Sequence, residues 1–146
     1  MIDCQNLMFN TIADGVATVR PDVVVTDMYN EKNAVFPVIT VEQKNSIPLR
    51  KTNTLESAEN YTTITFQITV YSDKQGTAKS ECLDLLKLAD GIIQQQGFRR
   101  THLSEPFNIS RTIFRRYARY EGIVREPYTV NENTDNEKTI FEVYRR

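Results

Sequence analysis

From Tyr61 to Tyr71 apolar and polar residues alternate almost without a break. Ile64, Phe66, Ile68 and Val70 fall on one side, and Thr63, Thr65, Gln67 and Thr69 on the other. A period of two over this length predicts a strand with one buried and one wetter face, as in antiparallel sheets. The period changes after the capping-rich turn Ser72–Thr77. Ala78, Cys82, Leu85, Leu86, Ala89, Ile92 and Ile93 share one helical stripe, with Glu81, Asp84, Lys87 and Gln95 off it. Gly97 ends this helix, a place for a left-handed residue.

The flanking segments complete an antiparallel arrangement. VFPVITVEQ, Val35 to Gln43, is β-prone, but Pro37 lacks an amide donor, so this strand either lies at an edge or begins close to Pro37. Lys44 to Asn60 is polar, mixed in charge and long enough to suggest a functional loop. With the next strand it predicts an extended hairpin. Phe98–Phe107 and Ser110–Val124 read as two further strands. In the second, Thr112, Phe114, Arg116, Ala118 and Tyr120 share one face and Ile113, Arg115, Tyr117 and Arg119 the other, with Phe114 and Tyr120 expected in the core. At the start of the chain, Ile2–Arg20 reads as a helix with Asp3 as N-cap and Leu7, Met8, Thr11 and Ile12 on one side, closed by Pro21. Val23–Val25 is either a strand or a connector. Tyr128–Val130 and Thr139–Tyr144 are short strand candidates in the tail.

The expected fold is therefore α+β: a mainly antiparallel sheet of about four strands, one long amphipathic helix packed on it, and an N-terminal helix. A chain of 146 residues predicts a single domain, with its core over 35–124, the N-terminal helix over 2–20 and an extension over 126–146.

Composition narrows the chemistry. No apolar run approaches the roughly 18 residues of a membrane span, and MIDCQNLMFN lacks the basic and apolar regions of a secretory signal, so the sequence reads as a soluble cytoplasmic-type domain. Cys4 and Cys82 cannot build a disulfide framework or a four-ligand zinc site alone. His102 is the only histidine, and no zinc-protease, nucleophile-elbow or P-loop motif occurs. A Cys–His pair remains arithmetically open, but Cys82 lies on the apolar stripe and Cys4 has no basic neighbour to activate it. The inventory predicts no enzyme, cofactor, metal site or small-molecule substrate.

Charge adds the one feature that asks for a partner. Gly97–Arg125 holds seven arginines (Arg99, Arg100, Arg111, Arg115, Arg116, Arg119 and Arg125) against Glu105 and Glu121, a net of +5. The whole chain carries −1, which leaves −6 for the remainder. Three readings follow: a nucleic-acid surface of arginines interleaved with aromatic residues, self-association of the basic face with an acidic neighbour, or a solvated strand face without a partner. Self-association is favoured, because the positive charges are all Arg on strands, no RNP- or KH-type motif accompanies them and the overall balance is acidic.

The order of these elements resembles the tail terminator and tail-completion proteins of long-tailed bacteriophages and prophages, of the kind that caps the phage lambda tail. The resemblance covers Val35–Val124 and rests on FPVITVEQ, the long loop, TTITFQITVYSD, the helix AKSECLDLLKLADGIIQQQ closed by Gly97-Phe98, and RTIFRRYARYEGIV. It implies a structural virion protein, assembled in the bacterial cytoplasm, that forms a homohexameric ring on the tail tube. Such a ring ends tube polymerisation and offers a head–tail joining surface. The implied partners are further copies of the chain, the tail tube protein, head–tail connector proteins and DNA passing through the lumen, with no membrane. Arg99, Arg100, Arg111, Arg115, Tyr117 and Arg119 are the subunit or lumen interface candidates. Lys44, Arg50, Lys51, Glu56 and Glu59 are the tube-docking loop candidates. Another connector or neck protein, or a small nucleic-acid-binding module using the arginine-rich strand, is the alternative. Glu126–Arg146 departs from the family pattern.

Overall fold

The computed structural model describes residues 4–30, 35–48, 61–109 and 112–125. In chain order the elements are α1 (Gln5–Val19), β1 (Val24–Thr26), β2 (Val38–Pro48), β3 (Tyr61–Ser72), α2 (Ala78–Gln95), β4 (Arg99–Leu103), β5 (Phe107–Asn108) and β6 (Phe114–Arg125). The strands form one six-stranded sheet in the order β1-β2-β3-β6-β4, with β5 also paired to β6.

This corrects the expected four-strand, mainly antiparallel sheet. The sheet has six strands and is mixed, because β1 runs parallel to β2 with Val24 opposite Val38 and Thr26 opposite Thr40. β1 and β5 span three and two residues, too short to display a periodicity of their own. The predicted strand over Phe98–Phe107 is divided into β4 and β5. Pro37 lies just before β2 and passes its carbonyl to the Val24 amide at 3.1 Å, so β2 is flanked rather than being an edge there.

Period two in the sequence becomes two chemically different faces. β2, β3 and β6 are held in antiparallel register, with Ile39 opposite Val70, Val41 opposite Ile68, Phe66 opposite Tyr120 and Ile68 opposite Ala118. These residues are fully buried on the face covered by both helices, where they meet Met8, Ile12 and Val16 of α1 and Cys82, Leu85, Leu86, Ala89 and Ile93 of α2. Burying a large aliphatic or aromatic side chain contributes about 1.5–3 kcal/mol, so this continuous layer dominates the stability of the fold. Two glycines set how closely the layers approach. A Cβ on Gly122 would lie 2.8 Å from the Phe98 ring, and one on Gly15 would lie 2.6 Å from Ile92 Cδ1.

The helix ends follow local chemistry. α1 is capped by Cys4 without a side-chain bond, and the expected cap, Asp3, lies outside the described residues. α2 ends as its sequence suggests, with Gly97 at φ 92 and its amide on the Gln94 carbonyl at 2.9 Å. The first residue of α1 also treats the sheet margin. Gln5 Nε2 donates to the Val41 carbonyl at 2.7 Å, and the Gln43 amide donates to Gln5 Oε1 at 2.6 Å. One side chain thus occupies backbone groups of β2 beyond the point where β1 stops.

Candidate functional site

Among the described residues, the second face of the sheet carries no helix. At one end it is closed by a small apolar cluster of Val38, Tyr71 and Ile113 with Tyr29, Phe36 and Ile109 packed against them. Tyr29 stacks on Tyr71 with ring centres 3.9 Å apart and planes 5° from parallel. Burial pushes the Tyr71 hydroxyl above its usual pKa, against the opposing pull of the Arg115 guanidinium. Tyr29 and Phe36, which lie between β1 and β2, thus cover this end of the face, and no other described segment covers the rest.

On the open part, sheet register brings the basic and aromatic residues together. Arg115, Tyr117, Arg119 and Glu121 of β6 stand opposite Tyr71, Thr69, Gln67 and Thr65 of β3. Arg99 of β4 stands opposite Glu121 on the other flank. Arg119 Nε donates to Gln67 Oε1 at 3.1 Å, and its guanidinium lies 5.7 Å from the Tyr117 ring centre. Tyr117 is in turn 5.6 Å from the His102 ring, and Arg115 lies 5.1 Å from the centre of Phe107. Arg115 Nε is buried without a hydrogen-bond partner. A planar guanidinium over an aromatic ring keeps its donors pointing sideways, ready for a carboxylate or phosphate.

The arginine-rich segment is thus divided between two faces. Arg115, Arg119 and Arg99 belong to the open face with Tyr117. Arg100 turns to the helix side and binds Asp90 Oδ1 of α2 at 2.9 Å. Arg116 donates from Nε to the Ser104 carbonyl at 2.9 Å. Arg111 lies outside the described residues, as do Arg50, Lys51, Glu56 and Glu59. Lys44 is a residue of β2 rather than of the loop, and it pairs with Glu42 at 2.8 Å. His102 and Phe107 join the face through pairings of β4 and β5 that no local sequence signal specifies. Phe114 is half-buried and packs against the core, while Tyr120 is fully buried, both on the helix side.

The remaining chemistry is structural. Cys82 lies on the sheet-facing side of α2, where its thiol faces the carbonyls of Val70 and Phe114, and burial pushes its pKa up to about 11. His102 stands on the opposite face of the sheet, so the two cannot act as a nucleophile–base pair. Asp90 collects donors from the Tyr120 hydroxyl and Gln94 Nε2, both at 2.6 Å, besides Arg100. The phenol is pushed far above its usual pKa, by burial first and by the Asp90 carboxylate next. Among the described residues no group of three or more His, Cys, Asp or Glu is placed to hold a metal, and no helix is long and apolar enough to cross a membrane. A cavity of about 400 Å3 at the start of α2 is lined by residues including Lys74, Thr77, Lys79 and Phe114.

No protein-family model matches the chain, and neither does any curated protein compared with it.

Proposed function

We propose that this protein is a non-enzymatic structural component of a phage or prophage tail, a ring-forming subunit that caps the tail tube and offers a joining surface to the head. The observation that carries the reading is the helix-free sheet face. Arg99, Arg115 and Arg119 are set there among Tyr117, His102 and Phe107, on a chain whose remainder is net acidic. Such a surface suits contact with a protein or nucleic-acid partner better than chemistry on a small molecule. The order of elements supports the tail assignment by its resemblance to terminator and tail-completion proteins.

Light scattering on a size-exclusion column tests the assembly. A species near six times the 16.9 kDa chain mass is the expected result, at high protein concentration or on isolated tail tubes. Failure to bind tubes or to assemble under either condition overturns the proposal.

A nucleic-acid role has its own support in the guanidinium–aromatic stacks of Arg119 on Tyr117 and Arg115 on Phe107. Binding of that kind weakens steeply with salt, because each neutralised phosphate releases counterions. Fluorescence anisotropy of a labelled DNA across a salt series separates the two readings.

A further inference from the structure

We propose that copies of this chain join through the two unlike margins of the sheet, β4 of one copy pairing with β1 of the next. The inference rests on the ring-forming reading above and adds the seam that builds the ring.

Among the described residues no further strand pairs with either margin. β4 is outermost on one side, and all five of its residues are exposed. β1 is outermost on the other, and only three residues long. Natural edges are blunted by charge, proline or cover, because unpaired backbone groups invite another strand. Beside β1, however, Val24, Met28 and Val35 are 41, 74 and 66% exposed and line a cavity of about 220 Å3. At the end of β4 and in β5, Leu103 and Phe107 are 39 and 56% exposed. Each margin therefore combines, among the described residues, an unpaired strand edge with an apolar flank.

Strand direction makes the two margins complementary. β2, β3, β6 and β4 alternate in direction, while β1 runs with β2. β1 and β4 consequently run oppositely. A neighbour generated by rotation about an axis along the strands brings β4 to β1 in antiparallel register, the slightly more stable of the two ladders. Charge points the same way. β4 carries the exposed Arg99, Arg100 being bound to Asp90, whereas β1 is bracketed by Asp22 and Asp27, of which Asp22 is already held by Arg20 at 2.9 Å. Contacts between unlike surfaces propagate head to tail and close into rings when the rotation permits. A second copy is the occupant that supplies the matching half of each of these features.

Cysteine pairs placed on the full chain test the seam. Val24 and His102 lie on the helix-free side, as do Thr26 and Arg99, and the irregularity between Arg100 and His102 brings both pairs into one antiparallel register. The native Cys4 and Cys82 are buried and do not compete. With a short bis-maleimide, Val24→Cys/His102→Cys or Thr26→Cys/Arg99→Cys is expected to give a ladder of cross-linked species on a denaturing gel. Each single variant alone should stay monomeric, and a mixture of the two singles should stop at dimer. Dimers from one single variant would mean a like-to-like contact and overturn the proposal. Light scattering of the same samples separates the two levels of inference. An oligomer without a ladder from either pair overturns the edge seam and leaves the ring, whereas a monomer without a ladder at any concentration overturns both.

Discussion

Tyr120 shows how one residue can look functional and be structural. It sits in the most arginine-rich stretch of the chain, yet its ring is fully buried and its hydroxyl is bound to Asp90. The face on which it falls was readable, because period two places it with Ala118 and Phe114. The Asp90 partnership was not, since it joins residues thirty positions apart through the packing of α2 on β6. Tyr120→Phe leaves Asp90 with Arg100 and Gln94, and should cost about 1 kcal/mol in urea unfolding, the usual net worth of one hydrogen bond. Asp90→Ala strands the buried hydroxyl and releases Arg100, and should cost more, about 1–3 kcal/mol. The shifted groups also fix a pH dependence. Cys82 and Tyr120 both hold their protons more tightly when folded than when unfolded. Their contribution is intact below pH 9, the ordinary thiol value, and is lost as pH rises through about 11 and into the tyrosine range. Urea midpoints should therefore fall from pH 9 upward, and native Cys82 should react slowly with Ellman's reagent at pH 8 but fully after unfolding.

At the scale of elements, long periodic segments were legible and short or paired ones were not. β3 and α2 announce themselves through unbroken periods of two and of about 3.6, each long enough to outweigh local exceptions. β1 and β5 exist only because β2 and β6 offer them an edge, so no local pattern encodes them. The same holds for the parallel sense of β1 and for the register shift between Gln43 and Asn45, which are properties of pairs. Where elements approach closely, the sequence leaves a glycine. Gly122→Ala pushes a methyl into the Phe98 ring, which is 3% exposed and has little room to withdraw. A loss of roughly 1–3 kcal/mol is expected, as for other overpacked positions. Gly15→Ala meets the tip of the flexible Ile92 side chain instead, so its unfolding midpoint should shift less.

For the whole molecule, the decisive arrangement is the separation of a helix-covered face from an open basic one. The net charge of −1 conceals it. The sequence indicated a basic segment and the alternation within it, but not which arginines share a surface. Arg99 and Arg119 share the open face, opposite Glu121 and His102, while Arg100 and Arg116 are spent on internal contacts. Replacing both Arg99 and Arg119 by Glu reverses the charge of the open face at exposed positions and should leave the unfolding midpoint within about 0.5 kcal/mol of the parent. Under the proposed tail role, the same variant is expected to lose attachment to tail tubes in a pelleting assay.

The Gln5 side chain on β2 has a consequence for any process of growth. It occupies the backbone groups that a newcomer would need in order to zip onward from β1 along Val41 and Gln43. In the ring proposed above, a seam at that margin would thereby be kept a few residues long and individually weak. Weak joints open again, so a copy that arrives misaligned can leave before the circle closes, and only the closed form holds every subunit at two points. Gln5→Ala would remove the stop. In place of the reversible closure that the proposed ring requires, it should give material that pellets irreversibly and binds thioflavin.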